Sequence, residues 1–190
     1  MKNIKFSPGR EENNLSSMQA IKEECGVETA KCYQCGKCSA GCPVAFAMDL
    51  TPRQIIRLLQ WGLAEDALKS KTIWLCAGCQ TCTVRCPQEV DIAKVMESLR
   101  ISAKRQGYIG DKKIDLFHRL FLKSVERNGR VHEMGLIVGA NLLGFEPLKD
   151  VEFGLPMLSK GKITPLPHRI KNIEEVKKIF ANVRKKGGKV

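Results

Sequence analysis

The chain has 190 residues, nine of them cysteine, with 43% hydrophobic and only 6% aromatic content and a formal charge of +12. Such a length gives one domain or one and a half, with a small aliphatic core that bound metal would reinforce, because ligation free energy is also folding free energy. The longest apolar stretch, residues 134–145, is interrupted by Gly135, Gly139, Asn141 and Gly144, well short of the roughly 18 apolar residues of a membrane-spanning helix.

In chain order, residues 1–15 read as a mobile polar lead, and Met1-Lys2-Asn3-Ile4-Lys5 opens no apolar run of the kind a secretory signal needs. The expected compartment is therefore the reducing cytoplasm, where clustered cysteines are metal ligands rather than disulfides. Residues 16–108 carry eight of the nine cysteines in two blocks: Cys32, Cys35, Cys38, Cys42 with Pro43, and Cys76, Cys79, Cys82, Cys86 with Pro87. Adding 44 to any position of the first block gives the second, which marks an internal duplication.

Each block leads into a helix. After the first, Thr51 is the predicted N-cap, Pro52 takes the first helical position, Ile55, Leu58 and Leu59 form the apolar stripe and Gly62 is the stop. A short helix over about 64–70 follows. After the second block, Asp91 caps a helix over 92–105, with Ile92, Val95, Met96 and Leu99 inward and Gly107 as the stop. No period-2 strand pattern separates the blocks, so the expected fold is mainly α: a helical two-cluster ferredoxin domain followed, over 109–190, by an α-helical extension.

In that extension Ile114, Phe117, Leu120, Phe121 and Val125 form one apolar face, ended by Asn128-Gly129. A helix over about 131–143 comes next. Pro147, Pro156, Pro165 and Pro167 predict an extended, irregular stretch, then a helix over 173–183 and a basic tail.

Both blocks read C-x2-C-x2-C-x3-C-P. Three cysteines at this spacing wrap three corners of a cubane, and in two-cluster ferredoxins the cysteine before the proline ligates the other cluster. The expected ligand sets are Cys32, Cys35, Cys38 and Cys86 for one [4Fe–4S] cluster, and Cys76, Cys79, Cys82 and Cys42 for the second. Eight thiolates around two cores of about +2 each would bring the net charge to roughly +8, so the rest of the surface stays basic. The main alternative is zinc, whose sites use well-separated pairs giving four ligands in total. A zinc module binding nucleic acid would also need aromatic residues interleaved with the basic ones, which these blocks lack.

Around the blocks, Cys25 has no partner in the repeat and reads as a small buried hydrophobe. His118, His132 and His168 have no ligand spacing, and His118 falls at the edge of a core. Lys37 and Arg85 lie inside the loops, either as solvated charge or beside the clusters. Gly36, Gly41 and Gly78 free backbone N–H groups to face cluster sulfurs, and Trp74-Leu75 supply apolar shielding. There is no G-x-G-x-x-G fingerprint and no cysteine–histidine pair arranged for nucleophilic work, so no catalytic residue is assigned.

The segments Cys32-Tyr33-Gln34-Cys35-Gly36-Lys37-Cys38, Trp74-Leu75-Cys76, Cys86-Pro87, Asn128-Gly129-Arg130-Val131 and Gly161-Lys162 through Pro167-His168 resemble the C-type iron–sulfur subunit of methanogen heterodisulfide reductase, over about residues 16–180. The resemblance implies a non-catalytic electron-transfer role. The chain would relay electrons between the flavin-bearing and iron–sulfur A-type subunit of that enzyme and its catalytic B-type subunit. The latter reduces the coenzyme M–coenzyme B mixed disulfide in methanogenesis, with a hydrogenase or formate dehydrogenase as indirect donor. The cysteine blocks are shared with iron–sulfur subunits of lactate, glycolate and sulfur-oxidising enzymes. Succinate and fumarate enzymes carry a further [2Fe–2S] domain ahead of this one, for which only Cys25 precedes Cys32.

Overall fold

The computed structural model describes residues 22–23, 25–145, 154, 156–157, 159–162, 164 and 166–185. The polar lead, Pro147, Pro165 and the basic tail fall outside these residues. The described residues are helical, with no strand among them. They form two compact units divided after Gly110.

In the first unit a 3₁₀ turn, Thr29–Lys31, precedes the first cysteine loop, whose one-turn helix α1 is Lys37–Ala40. A second 3₁₀ turn, Ala45–Ala47, leads to α2, Pro52–Gln60. Thr51 caps α2 as the sequence predicts, and the Gln54 side chain accepts the Thr51 N–H at 2.8 Å to close the capping box. Helices α3, Ala64–Lys69, and α4, Thr72–Leu75, connect to the second loop, which contains α5, Thr81–Val84. The long α6, Ile92–Gln106, begins with the Asp91 carboxylate accepting Lys94 N–H at 3.1 Å and ends at Gly107, whose φ of 81° suits glycine.

The core lies where α3 packs against both α2 and α6, and α4 packs against α6. Ile55, Ile56, Leu58 and Leu59 of α2, Ile73 of α4 and Ile92, Val95, Met96 and Leu99 of α6 are all fully buried. The aliphatic composition shows directly, since Trp74 is the only buried aromatic among the described residues. Cys25 is 1% exposed in this unit, a small hydrophobe as expected.

The duplication is written in the backbone. Gln34 and Gly78, one step of 44 apart, have φ of 65° and 63°, and Gly36 and Gln80, again one step apart, have 83° and 62°. Each loop therefore makes the same two left-handed turns, with glycine and glutamine exchanged. Past the loops the step shortens to 40, because nine residues separate Cys42 from Pro52 and five separate Cys86 from Ile92. The turn Ala45–Ala47 lies in the longer connection.

In the second unit α7, Lys112–Asn128, packs against both α8, Glu133–Leu143, and α9, Ile173–Lys185. Asp111 caps α7 by accepting Lys113 and Ile114 N–H at 2.9 and 3.1 Å, and Gly129 ends it with φ of 78°. The Ile170 side chain fills the space a Gly129 Cβ would take, and Ile170 N–H donates to Asn128 O at 3.1 Å. Arg184 of α9 pairs with Glu126 of α7 at 2.7 Å.

On the apolar face of α7, Phe117 and Phe121 are 43% and 39% exposed, and the buried residues of α7 are Asp115 and Asn128. Three helices of this length enclose too little volume to cover every apolar side chain. One expectation for this unit needs correction: Gly154, Pro156, Met157 and Ser159 are helical, where the prolines predict extended chain. Proline fits a first helical turn, where its missing N–H has no partner to lose, and the Pro156 carbonyl accepts from Lys160 N at 3.2 Å. Among the described residues no helix is long and apolar enough to cross a membrane.

Candidate metal centre

Each cysteine loop is built from the same parts. A turn of helix ends at the first cysteine, whose N–H donates to Thr29 O in one half and Thr72 O in the other, at 3.2 and 3.0 Å. The hydroxyl after the third cysteine then caps the following helix. Ser39 Oγ accepts Arg53 N–H at 3.0 Å, and its counterpart Thr83 Oγ1 accepts Ala93 N–H at 3.1 Å. The one-turn helices α1 and α5 pack against each other, so the two loops are neighbours.

Cys42, Cys76, Cys79 and Cys82 line one cavity of about 370 Å³, open mouth included, with Val44, Met48, Ala93 and Met96 as apolar neighbours. The exposed Tyr33 phenol is pushed up from its ordinary value, first by partial desolvation and then by its cysteine neighbours, Cys35 foremost. Cys38 is buried, and the charge of Cys32 and Cys35 reaches it.

The donor chemistry fits iron–sulfur clusters. Four soft thiols, drawn from both loops, line a pocket with apolar neighbours, the environment a cubane needs. Burial pushes the Cys82 thiol up to about 11 and also raises Cys38, while hydrogen bonding to Thr81 lowers Cys79. Loading metal must therefore displace protons from these two thiols.

The other singled-out residues have specific places. Arg85 is exposed, yet its guanidinium crosses onto Gly41 and fills the space a Cβ would take. A Cβ at Gly41 would meet only the far end of the flexible Arg85 side chain, and Gly41 has an ordinary φ, unlike Gly36 and Gly78. Trp74 is 3% exposed and Leu75 half-buried. His118 is half-buried with its ring edge-on to Phe117 at 6.5 Å. His132 caps α8, Nδ1 accepting Gly135 N–H at 3.1 Å, and His168 is exposed.

Sequence reasoning missed the residues that lock the loops. Gln34 Nε2 lies 3.6 Å from Cys32 Sγ and donates to Gln60 Oε1 at 3.0 Å. Gln60 Nε2 in turn donates to the carbonyls of Thr29 and Cys32, at 3.1 and 2.7 Å. In the second half Arg100 does the same, to Ile73 O at 2.7 Å and Cys76 O at 2.6 Å. Asp49 also went unnoticed. Its carboxylate accepts from Ser70 Oγ, Thr72 Oγ1, Thr72 N and Lys71 N at 2.7 to 3.1 Å. It pins the segment before α2 to the start of α4.

Comparison with known proteins agrees with this geometry. Residues 28–90, which hold both loops, match a family described as a 4Fe-4S dicluster domain. The C-type iron-sulfur subunit of the CoB–CoM heterodisulfide reductase of Methanopyrus kandleri is 28% identical over 160 residues, 84% of this chain and 74% of that protein. The C-type subunit of the H(2):CoB-CoM heterodisulfide,ferredoxin reductase of Methanothermobacter marburgensis is 34% identical over 91 residues, covering 48% of this chain and 49% of that one. A protein of Archaeoglobus profundus described as like the same heterodisulfide reductase subunit is 32% identical over 122 residues, 63% of this chain and 65% of its own. The match to the Methanothermobacter protein therefore spans only about half its length. With a dicluster domain laid over both cysteine loops and several such relatives, the chain is a homologue of the C-type iron–sulfur subunits of heterodisulfide reductases.

Proposed function

We propose that the chain is the electron-relay subunit of a cytoplasmic heterodisulfide reductase complex, holding two [4Fe–4S] clusters. In this reading electrons pass from the flavin-bearing A-type subunit, through this chain, to the catalytic B-type subunit that reduces the coenzyme M–coenzyme B mixed disulfide. A hydrogenase or formate dehydrogenase stands further upstream. When bound, the clusters supply one-electron carriers whose potentials the protein tunes.

The observation that carries the reading is the shared cavity of Cys42 with Cys76, Cys79 and Cys82. It supports a ligand set drawn from both loops, with Cys86 joining Cys32, Cys35 and Cys38 in the other set. Exchange of the fourth ligand ties the halves together and keeps the two centres adjacent, which a relay requires. The chain's own groups hold the thiolates in place through Gln60 and Arg100 and limit water with Val44, Met48 and Met96. Residues 109–190 serve partner docking, supported by exposed apolar side chains on α8 and α9, among them Leu142, Leu143 and Ile179 at 60%, 58% and 61%.

The test is anaerobic purification of the full chain with metal analysis and EPR. The expected result is a brown protein with about eight irons and two reducible [4Fe–4S] signals. Colourless protein with stoichiometric zinc refutes it. Anaerobic co-purification with two further subunits is expected in the source organism, and a chain recovered alone and monomeric counts against the complex.

A further inference from the structure

Gln60 and Arg100 occupy equivalent places in the duplicated domain. They lie 40 residues apart, the step that also relates α2 to α6. Each is half-buried at the side of the core. Each reaches back to the same two carbonyls of its own half: Thr29 and Cys32 for Gln60, Ile73 and Cys76 for Arg100, and these acceptors are related by the loop step of 44. Geometry is shared between the halves, and charge is not. Gln60 is neutral, whereas arginine stays protonated at any working pH. Among the described residues no carboxylate pairs with Arg100, so its charge is not cancelled locally.

We propose that Arg100 and Gln60 are matched positioning residues whose difference in charge makes the two iron–sulfur centres unequal, by raising the reduction potential of the centre held by the Cys76 loop. The inference rests on the two-cluster reading above. Reduction adds one negative charge to a cluster, and a cation beside a ligand favours the more negative state. Arg100 Nη2 is 2.6 Å from the backbone carbonyl oxygen of Cys76, so its charge stands at the main chain of a residue assigned to one centre. Half-burial weakens solvent screening of that interaction. The first loop receives only dipoles at the matching point, from Gln60 Nε2 to Cys32 O and from Gln34 Nε2 towards Cys32 Sγ. The arrangement therefore gives an electron a preferred side of the pair, with the bias supplied by one side chain of α6.

The experiment is a potentiometric titration of the intact, anaerobically purified chain, followed by EPR, with iron counted in the same samples. In Arg100→Gln one midpoint is expected to move to lower potential while the other holds. In Gln60→Arg the other midpoint is expected to rise while the first holds. Both waves unmoved at full iron content, or both moving together in either variant, overturns the proposal. If Arg100→Gln loses iron, Gln60→Arg decides: an unmoved pair of midpoints overturns it, and one raised midpoint upholds it. Unmodified chain without iron sinks the two-cluster reading itself, whereas full iron with unshifted variants sinks the charge argument alone.

Discussion

Asp49 shows how much a single exposed carboxylate can organise. Burial of its oxygens raises its pKa, but hydrogen bonds from Ser70, Thr72 and Lys71 outweigh that and leave it below the usual carboxylate value. A group whose native pKa is depressed contributes stability above its unfolded value, about 3.9 for aspartate, and loses it as pH falls through the lower native value. The Asp49 contribution is thus complete at neutral pH and disappears only in strong acid. Asp49→Asn keeps one acceptor oxygen and is expected to cost about 1 kcal/mol at pH 7. Urea titrations at pH 7 and below pH 3 would check this, and the two proteins should converge in acid. Neither Asp49 nor the Gln60 and Arg100 contacts was legible in the sequence. Each joins segments more than twenty residues apart, and no local pattern records a partner chosen by the tertiary fold. The two cysteine loops were legible as a repeat because their spacing recurs at a fixed step of 44.

At the level of elements, the helices of the first unit could be read because their caps are local chemistry. Thr51-Pro52, Asp91 and Gly107 each act within one turn of the helix they bound. The loop backbones were half legible. A left-handed residue announces itself when it is glycine, as at Gly36 and Gly78, and is hidden when it is glutamine. The 44-residue step could have exposed Gln34 and Gln80, since each has a glycine in the other copy. Gln80→Gly is expected to stabilise the chain by up to about 1 kcal/mol in thermal unfolding, because glycine adopts this conformation without a Cβ penalty. Gln34→Gly loses the contacts to Cys32 and Gln60 and is expected to be destabilising despite the same φ. In the second unit Gly129→Ala meets both a φ of 78° and the Ile170 side chain. A loss of at least about 1 kcal/mol is expected there, read as earlier melting of α7 and α9.

For the whole molecule, the two units depend on different sources of stability. The first combines a small aliphatic core with the two cysteine loops, so under the proposed two-cluster reading removing iron should remove part of its folding free energy. The second holds no cysteine of the blocks and relies on helix packing that leaves Phe145 and Leu166 at 93% and 78% exposed. Oxidative loss of the clusters is expected to expose amides of α2, α4 and α6 to hydrogen exchange while α7 keeps its protection. Uniform loss in both units would contradict this division. The apolar stripe of the second unit stays partly exposed, with Phe117 at 43% and Phe121 at 39%. Periodicity identifies a face to be covered, but it does not say whether this chain or another covers it.

The central claim is that each centre takes three thiolates from one loop and the fourth from the other, and paired substitutions test it most directly. Cys42→Ala combined with Cys79→Ala removes two ligands from one set, while Cys42→Ala combined with Cys35→Ala removes one from each. Iron content and EPR of the anaerobic full chain should show one intact [4Fe–4S] cluster, about four irons, in the first pair and none intact in the second. The reverse outcome, an intact cluster only when Cys42 and Cys35 are lost together, would show that each loop holds its own cluster and would contradict the account.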